Sequence, residues 1–342
     1  MSILYEDEDT FVISHKKYID SVYKDIGYQI QPDLFNIQVP YKLPKKQTTA
    51  NSTSSKGFGV LHDEVRFLEE KYAKLKEKSV LNMFCNESKG QSNGEAIKFL
   101  KSLHIHKSWL QNTVKNAFGA NMAPAMVKTI DGENFLFPKN TKFYSKDISE
   151  IHEHLNTKYN LVLLDPPWWN KFIRRKRKVT GDGYQMLYNS DIKNIPIENI
   201  LAENGIVVVW CTNSTQHFEC LTKDIFPKWQ VTYRGKWFWL KVAANGVPVC
   251  QFSEPPRKQP FEKIIFGFKK PPEQFPSKII VSVPSIMDSH KPPLLEVLKP
   301  YLPENAECLE IFARYLLPAW TSYGNEVLKL QHEYIYEKKS II

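Results

Sequence analysis

The sequence predicts an α/β fold built on a doubly wound sheet, and two observations support this prediction. From about residue 140 onward, short runs rich in β-branched and aromatic residues alternate with stretches of helical character. Several of these runs are almost wholly apolar, as in Asn160–Leu164 (NLVLL) and Gly205–Cys211 (GIVVVWC), which is typical of strands buried on both faces. Buried strands that alternate with helices imply helices on both sides of one sheet.

The individual elements follow from the apolar runs and from the Gly and Pro residues that bound them. The predicted strands are Asn160–Leu164, Gly205–Cys211, Gln230–Arg234, Lys236–Lys241, Lys263–Phe268, Lys278–Val283 and Glu307–Ile311. The predicted helices are Ile197–Glu203, Thr215–Phe226 and Leu294–Tyr301. Ligands of doubly wound sheets bind at the carboxyl ends of the strands, so functional residues are expected directly after these runs.

The first 140 residues have a different pattern. Residues 44–58 are rich in Lys, Ser, Thr and Asn, which predicts a mobile loop. The segment that follows places Val65, Leu68, Tyr72 and Leu75 at helical spacing, and a second helix is expected to begin at Ser92. Because no catalytic motif is found there, we expect a helical accessory domain over residues 1–140 and a catalytic domain over 141–342. A role of this region in gripping RNA is the alternative.

Composition narrows the class of protein. The formal net charge is +9, which favours a polyanionic partner. The five cysteines include no CxxC pair, so neither a zinc ribbon nor a disulfide framework is expected. The first residues have no apolar segment like that of a signal peptide, and no apolar run approaches the roughly 20 residues of a membrane span. We therefore expect a soluble intracellular protein without a membrane partner.

The most specific motif is Asp165-Pro166-Pro167-Trp168, directly after the buried run NLVLL. An aromatic amine is a poor nucleophile, because its lone pair is delocalised into the ring. A carboxylate such as Asp165 can accept one N–H of the amine while a backbone carbonyl accepts the other, and the two prolines fix the direction of the carbonyls. Trp168 could offer a face on which a flipped base stacks. A stiff turn with a packed indole is the alternative.

Three further segments follow later in the chain. Ser289-His290-Lys291-Pro292-Pro293 ends a strand and opens a helix, where a lysine suits a carboxylate ligand. Residues 308–314 (CLEIFAR) form a strand that ends in a charged turn, and residues 320–326 (WTSYGNE) read as a turn with adjacent polar side chains. Asn325 and Glu326 could hold ribose hydroxyls. Each of these segments alone is only weakly informative.

Taken in this order, the four segments resemble the MT-A70 family of adenine-N6 methyltransferases. The resemblance covers roughly residues 140–335, and LEIFARYLLPAWTSYGNEVL is typical of one branch of that family. Asp165 precedes the strand that contains Glu310, as in the circularly permuted arrangement of the family. The resemblance therefore implies a circularly permuted Rossmann-like class I methyltransferase domain, with the helical N-terminal domain added to it. Ile311, Ala319 and Tyr323 depart from the family pattern conservatively.

The resemblance also implies an activity, which is S-adenosyl-L-methionine-dependent methyl transfer to the N6 of adenine in nucleic acid. The implied substrate is 2′-O-methyladenosine in U2 small nuclear RNA. The alternatives are DNA adenine and a catalytically inactive RNA-binding scaffold subunit, and the intact motifs disfavour the scaffold. A monomer located in the nucleus, and also in the cytoplasm, is expected.

The family pattern assigns roles to individual residues. The catalytic motif would be Asp165, Pro166, Pro167 and Trp168. Asp147 and Ile148 would contact the adenine of the cofactor, and Lys291 would pair with its carboxylate. The complete set of implied cofactor-binding residues is Asp147, Ile148, Asp165, His290, Lys291, Glu310, Arg314, Asn325 and Glu326. The last three of these, Arg314, Asn325 and Glu326, would line the ribose of the cofactor.

A cationic run lies in the loop that leaves the catalytic motif, where it can reach phosphates beside the target nucleotide. A nuclear-localisation patch or a solvated charge run is the alternative. The implied substrate-binding residues are Lys171, Arg174, Arg175, Lys176, Arg177, Lys178 and, for the target base, Tyr184. Two His-x-His pairs, at His104/His106 and His152/His154, lack further spaced ligands, so no metal site is expected.

Overall fold

An eleven-stranded sheet organises the part of the chain that the computed structural model describes, which is residues 2–41, 59–87, 92–105, 114–169, 186–253 and 257–339. The predicted mobile loop at 44–58 lies outside the described residues. The cationic run at 171–178 and Tyr184 also lie outside them.

The elements alternate along the second half of the chain and are mixed in the first half. The strands are β1 (Ile3–Glu6), β2 (Thr10–Ile13), β3 (Tyr28–Ile30), β4 (Ala117–Asn121), β5 (Met126–Ile130), β6 (Glu133–Phe137), β7 (Thr141–Ser145), β8 (Tyr159–Leu164), β9 (Leu201–Cys211), β10 (Thr232–Lys241), β11 (Phe261–Phe268), β12 (Ile279–Ser282), β13 (Cys308–Ile311), β14 (Trp320–Tyr323) and β15 (Tyr336–Lys338). The helices are α1 (His15–Tyr23), α2 (Gly59–Glu77), α3 (Gly94–Ile105), α4 (Ile151–His154), α5 (Asn189–Lys193), α6 (Ile197–Ile200), α7 (Thr215–Cys220), α8 (Phe226–Lys228) and α9 (Leu295–Leu298).

The large sheet has the order β1-β2-β12-β10-β11-β9-β8-β13-β14-β7-β4. Its strands all run in one direction except β1, β4 and β11, which pair antiparallel with their neighbours. The carboxyl ends of β7, β14, β13, β8 and β9 therefore meet at one edge of the sheet, which we call the carboxyl edge. The two-stranded pairs β3–β15 and β5–β6 lie apart from this sheet.

This topology confirms the predicted Rossmann-like fold and its permuted chain order. The strand β8, which ends at Leu164, lies between β13 and β9 and is parallel to both. In the sequence, however, β8 precedes β13 by more than a hundred residues. The strand that leads into Asp165 is thus adjacent in space to the strand that contains Glu310.

Most predicted strands are confirmed, with three corrections. The predicted helix Ile197–Glu203 ends at Ile200, because Leu201 already pairs with Tyr159 in the sheet. The two strands predicted on either side of Gly235 form the single strand β10, with an irregular register between Tyr233 and Gly235. Residues 320–323, predicted as a turn, form the buried strand β14 between β13 and β7.

Residues 1–140, for which a helical accessory domain was predicted, contain strands as well as helices. The helices α2 and α3 are present as expected. However, β1 and β2 extend the large sheet through β12, and β4 pairs with β7 at its other end. These strands have only four or five residues, which is too short for a periodic pattern to identify them.

A buried ion pair fixes α2 on the sheet. The apolar side of this helix packs through Leu61, Leu68 and Leu75 against side chains of β10, β11 and β12. On the same helix, Glu64 is buried, and its carboxylate lies 2.9 Å from the ammonium of Lys263, which is equally buried. Lys236 also pairs with Glu64. Removal of the carboxylate would leave a buried cation without its partner.

We predict that Glu64→Ala lowers the free energy of unfolding by about 3 kcal/mol, because breaking a buried pair is much more costly than losing an exposed one. Chemical denaturation measures the change. The neighbouring Asp63→Ala is the matched control, since Asp63 and its partner Arg66 are both exposed, and it should change stability by less than about 0.5 kcal/mol. Equal effects of the two variants would contradict a stabilising role of the buried pair.

Candidate active site

Charged side chains from different parts of the chain converge at the carboxyl edge. Asp165 follows β8 directly, and Arg314 lies three residues past the end of β13. Lys291 lies in the segment between β12 and α9. Glu262 reaches the same edge from the beginning of β11, because that strand runs in the opposite direction. The sheet topology thus brings together residues that are far apart in sequence.

The carboxylate of Asp165 is at the centre of this site and is only 7% exposed. Arg314 donates a hydrogen bond of 2.8 Å from Nη1 to Oδ2 of Asp165. The ammonium of Lys291 is 3.6 Å from the other oxygen, Oδ1, which is an ion-pair distance but too long for a hydrogen bond. One oxygen is therefore fixed by the guanidinium, and the other retains the capacity to accept a hydrogen bond.

Alternating charges extend from Asp165 in both directions. Lys291 donates to Glu262 at 2.5 Å, and Glu262 also pairs with Lys241. On the other side, Arg314 donates from Nε to Glu326 at 3.1 Å. We call the resulting series of ion pairs the ion chain, and in order its members are Lys241, Glu262, Lys291, Asp165, Arg314, Glu326 and Lys329.

Opposite charges within the ion chain shift the pKa values of Glu262 and Lys291 toward their charged forms although both side chains are buried. Burial raises the pKa of Glu262, but the ammonium groups of Lys241 and Lys291 outweigh it and hold the pKa well below its usual range. Burial lowers the pKa of Lys291, and Asp165 and Glu262 outweigh that effect and raise it. The Lys291 ammonium also lies over the indole of Trp210, 5.4 Å from the ring centroid.

Glu310 is a second buried carboxyl group near Asp165, and its environment is different. Its oxygen Oε2 has no hydrogen-bond partner among the described residues. Burial, and then the charge of Asp165, raise the pKa of Glu310 to about 8, although Arg314 acts in the opposite direction. Glu310 is therefore a buried carboxyl group that holds its proton more strongly than a glutamate in water does.

A second group of predicted residues lies beyond the ends of β7 and β14. Asn325 donates to Oδ2 of Asp147 at 3.2 Å, and the phenol of Tyr323 donates to the carbonyl of Asp147 at 3.0 Å. Hydrogen bonds from Ser149 lower the pKa of the exposed Asp147. Ile148 is partly buried against the core below. The structure thus brings Asp147 and Asn325, two of the predicted cofactor contacts, within hydrogen-bond distance of each other.

The turns after β13 and β14 approach each other closely. Phe312 has a φ of 63°, which is uncommon for a residue with a side chain, and Gly324 has a φ of 143°. A Cβ atom at position 324 would lie 3.2 Å from the Cα of Phe312. Glycine is therefore required there, because of both its conformation and the space available.

The prolines of the motif take part in backbone hydrogen bonds, and its tryptophan is buried. The carbonyl of Pro166 accepts the N–H of Trp168 at 2.8 Å, and that of Pro167 accepts the N–H of Leu187 at 2.9 Å. Each carbonyl oxygen still has a second lone pair. Trp168 is only 4% exposed and donates from its indole to the carbonyl of Trp210. The predicted stacking face is thus covered, because a buried indole N–H needs a partner and takes one inside the core.

His290, which was predicted as a cofactor contact, packs against other aromatic side chains and is not a member of the ion chain. Its ring packs in an aromatic cluster, 4.4 Å from the ring of His15 and 5.3 Å from that of Tyr315. Burial lowers the pKa of His290 to about 3. The neighbouring Lys291 joins the ion chain, whereas His290 faces the N-terminal segment. The residue before His290, Ser289, has a φ of 56°, in the left-handed region of the backbone.

Three members of the ion chain were not predicted from the sequence, and these are Lys241, Glu262 and Lys329. Glu262 was left just outside the predicted strand Lys263–Phe268, and Lys241 was treated only as the end of a strand. Neither belongs to a recognisable motif. An antiparallel direction for β11 would have indicated Glu262, because it places the first residues of that strand at the carboxyl edge.

Two further findings concern metal ions and membranes. Within the described residues, the ligand atoms of Glu150, Glu153 and His154 lie within 4.8 Å of one another, but they are exposed or half-buried, and His154 Nδ1 is 3.2 Å from the Tyr323 hydroxyl. His106 is outside the described residues. Among the helices that the structure describes, we find none with the length and apolar character of a bilayer span.

The sheet order and the position of Asp165 at the end of β8 are consistent with the predicted Rossmann-like methyltransferase fold. Residues 159–326 match the model of the MT-A70 family. The matched region thus belongs to the MT-A70 family.

Three relatives illustrate the range of the family. The N(6)-adenine-specific methyltransferase METTL4 of Homo sapiens is 37% identical over 227 residues, which cover 62% of this chain and 47% of the relative. This similarity agrees with the branch that LEIFARYLLPAWTSYGNEVL indicated, the methyltransferase-like protein 4 branch. The DNA N6-methyl methyltransferase of Caenorhabditis elegans is 27% identical over 370 residues, with 97% of this chain and 99% of the relative covered.

The third relative is the N6-methyladenosine RNA methyltransferase MTA1 of Pyricularia oryzae, which is 33% identical over 186 residues, covering 51% of this chain and 48% of the relative. The chain spans about half the length of the human and mouse METTL4 relatives, 47% and 45%.

We predict that Glu310→Gln becomes more stable relative to the unchanged protein as the pH rises from 5 to 8. A carboxyl group with its pKa raised from 4.5 to about 8 contributes stability below its ordinary pKa and loses it as the pH rises through the folded value. Glutamine does not titrate, so the difference in unfolding free energy should change by at most about 1.4 kcal/mol per pH unit. Denaturation curves at several pH values measure it, and a pH-independent difference would rule out the raised pKa.

Proposed function

We propose that this protein is an S-adenosylmethionine-dependent methyltransferase that methylates the N6 amine of adenine in nucleic acid. The observation that carries the proposal is the arrangement of Asp165. Its Oδ2 is fixed by Arg314, its Oδ1 can still accept a hydrogen bond, and the Asp-Pro-Pro-Trp motif sets it at the carboxyl edge. The family membership agrees with this reading.

The geometry suits the activation of an aromatic amine. One N–H of the amine would donate to Oδ1 of Asp165, and the other to a backbone carbonyl of the motif. Pro166 and Pro167 both keep a lone pair for this purpose, since each accepts one internal hydrogen bond. Two acceptors outside the ring plane return electron density to the nitrogen. The remaining acceleration would come from positioning of the two reactants.

The residues at the carboxyl edge fit a bound S-adenosylmethionine. The unpartnered Oε2 of Glu310 is a buried acceptor, which suits the ammonium group of the methionine moiety. Lys291 is a cation for its carboxylate, and Asp147 with Asn325 offers polar groups for its nucleoside. When bound, the cofactor supplies a methyl group that its sulfonium already activates. Because Arg314 bonds both to Asp165 and to Glu326, the role of Arg314 and Glu326 is to position the carboxylate of Asp165, in addition to the ribose contacts that the resemblance implied.

The substrate that we favour is 2′-O-methyladenosine in U2 small nuclear RNA, with DNA adenine as the second candidate. Relatives named for DNA and for RNA methylation both match the chain, and the net charge of +9 suits either polyanion. The cationic run at 171–178 would contact phosphates. An inactive scaffold is disfavoured because Asp165, Lys291 and Asn325 are all in place. A monomer in the nucleus, and also in the cytoplasm, completes the proposal.

We predict that Asp165→Asn transfers less than a tenth as much methyl per unit time as the unchanged protein, while it still binds S-adenosylhomocysteine. Asparagine can keep the acceptor for Arg314, but its NH₂ then presents a donor to the adenine amine. Transfer of a labelled methyl group to RNA, 2′-O-methylated RNA and single-stranded DNA of the same sequence measures activity, and calorimetry measures binding.

The control is Asp63→Asn, an exposed position on α2 that should leave both quantities unchanged. Retention of a tenth or more of the activity by Asp165→Asn would remove Asp165 from its proposed role. Preferred transfer to the DNA strand, or to RNA without the 2′-O-methyl group, would overturn the substrate assignment and leave the reaction type intact.

A further inference from the structure

Two stacked aromatic side chains lie directly beside the catalytic motif. The rings of Trp169 and Tyr188 are nearly parallel, with an interplanar angle of 19° and centroids 6.4 Å apart. Trp169 is half-buried, whereas Tyr188 is 61% exposed. Tyr188 is therefore the outer member of the pair, with Trp169 behind it.

Hydrogen bonds fix the backbone on both sides of this pair. The N–H of Trp169 donates to the carbonyl of Leu187 at 3.1 Å, and the N–H of Leu187 donates to the carbonyl of Pro167. The ring of His217 then joins the two segments, because Nε2 lies 3.1 Å from the carbonyl of Trp169 and Nδ1 lies 2.9 Å from the amide oxygen of Asn189. The pair is thus held in place before any ligand arrives, which reduces the entropic cost of binding.

The position of the pair relative to Asp165 suggests its partner. Four residues of extended chain span at most about 14 Å, so the Cα atom of Trp169 lies within about 14 Å of the Cα atom of Asp165. The target adenine would bind at the carboxylate of Asp165. A nucleotide next to the target adenine would therefore pass close to Trp169 and Tyr188. Aromatic side chains bind single-stranded nucleic acid by stacking on its bases, whatever the sequence.

We propose that the exposed face of Tyr188, supported by Trp169, stacks on a nucleobase next to the target adenine. This inference rests on the proposed function, because it assumes that a nucleic acid strand enters the site. It adds a sequence-tolerant contact to the strand that is separate from the recognition of the target base. The other explanation is purely structural, in which the two rings only pack against each other.

The experiment combines a protein change with a nucleotide change. RNA oligonucleotides that contain one target adenosine are made intact, or with one abasic nucleotide at the position before or after the target. Affinities of the unchanged protein, Tyr188→Ala and Tyr188→Phe are measured by fluorescence anisotropy. Phe118→Ala is the matched control, since Phe118 is 76% exposed and stacks on Tyr144 at 6.3 Å and 18°, but on the outermost strand β4.

We expect Tyr188→Ala to weaken binding of the intact RNA by roughly five- to a hundredfold, and Tyr188→Phe and Phe118→Ala to have little effect. One of the two abasic oligonucleotides should bind the unchanged protein more weakly by a similar factor. It should bind Tyr188→Ala no more weakly than the intact RNA does, because the stacking partner is already missing.

Equal abasic effects in the unchanged protein and in Tyr188→Ala would overturn the inference, and so would a loss of binding by Phe118→Ala as large as that by Tyr188→Ala. A parallel loss of affinity for S-adenosylhomocysteine in Tyr188→Ala would favour the structural explanation and overturn the inference too. Methyl transfer separates this result from the proposed function. If the unchanged protein binds the RNA with the expected abasic dependence but methylates no adenine, the function fails and the stacking contact stands.

Discussion

The pairing of Asp165 with Arg314 is the interaction on which the site depends. A carboxylate as deeply buried as Asp165 is unfavourable by several kcal/mol unless a cation and hydrogen bonds compensate for its lost hydration. Arg314 supplies both through one hydrogen bond, and its guanidinium is held in turn by Glu326. This arrangement leaves the second oxygen of Asp165 beside Lys291 and able to accept a hydrogen bond from a substrate amine. The proposed chemistry requires this one acceptor in a fixed place.

The sheet provides the geometry that such a pairing needs. Asp165 and Arg314 are separated by almost 150 residues in the chain, but they follow the adjacent parallel strands β8 and β13, whose register aligns Leu164 with Ile311. The close approach of the turns at Phe312 and Gly324 completes the edge. The permuted order of strands in the sequence therefore has no consequence for the site, because only neighbourhood and direction in the sheet decide which side chains meet.

Apolar runs and motifs predicted the centre of this arrangement, and interactions made in three dimensions account for the rest. Apolar residues identified β8, and the run Glu307–Ile311 identified β13 although it contains two glutamates. The residues that follow both strands were assigned from motifs. Polar residues at Thr321 and Ser322 concealed β14, although both are buried in a parallel strand. Trp168 was expected to face a base, but its indole N–H bonds to Trp210 in the core. Glu262 was missed because its place depends on the direction of β11, which no local pattern specifies.

The most direct test of this account is a double-mutant cycle between Asp165→Asn and Arg314→Met, read as the free energy of unfolding. A pair that stabilises the buried carboxylate predicts a coupling of roughly 2 kcal/mol, since residues that share a buried ion pair do not behave additively. The double variant should then lose less stability than the two single variants lose in sum. Additivity within about 0.5 kcal/mol would show that Arg314 does not hold Asp165, and would contradict the central claim.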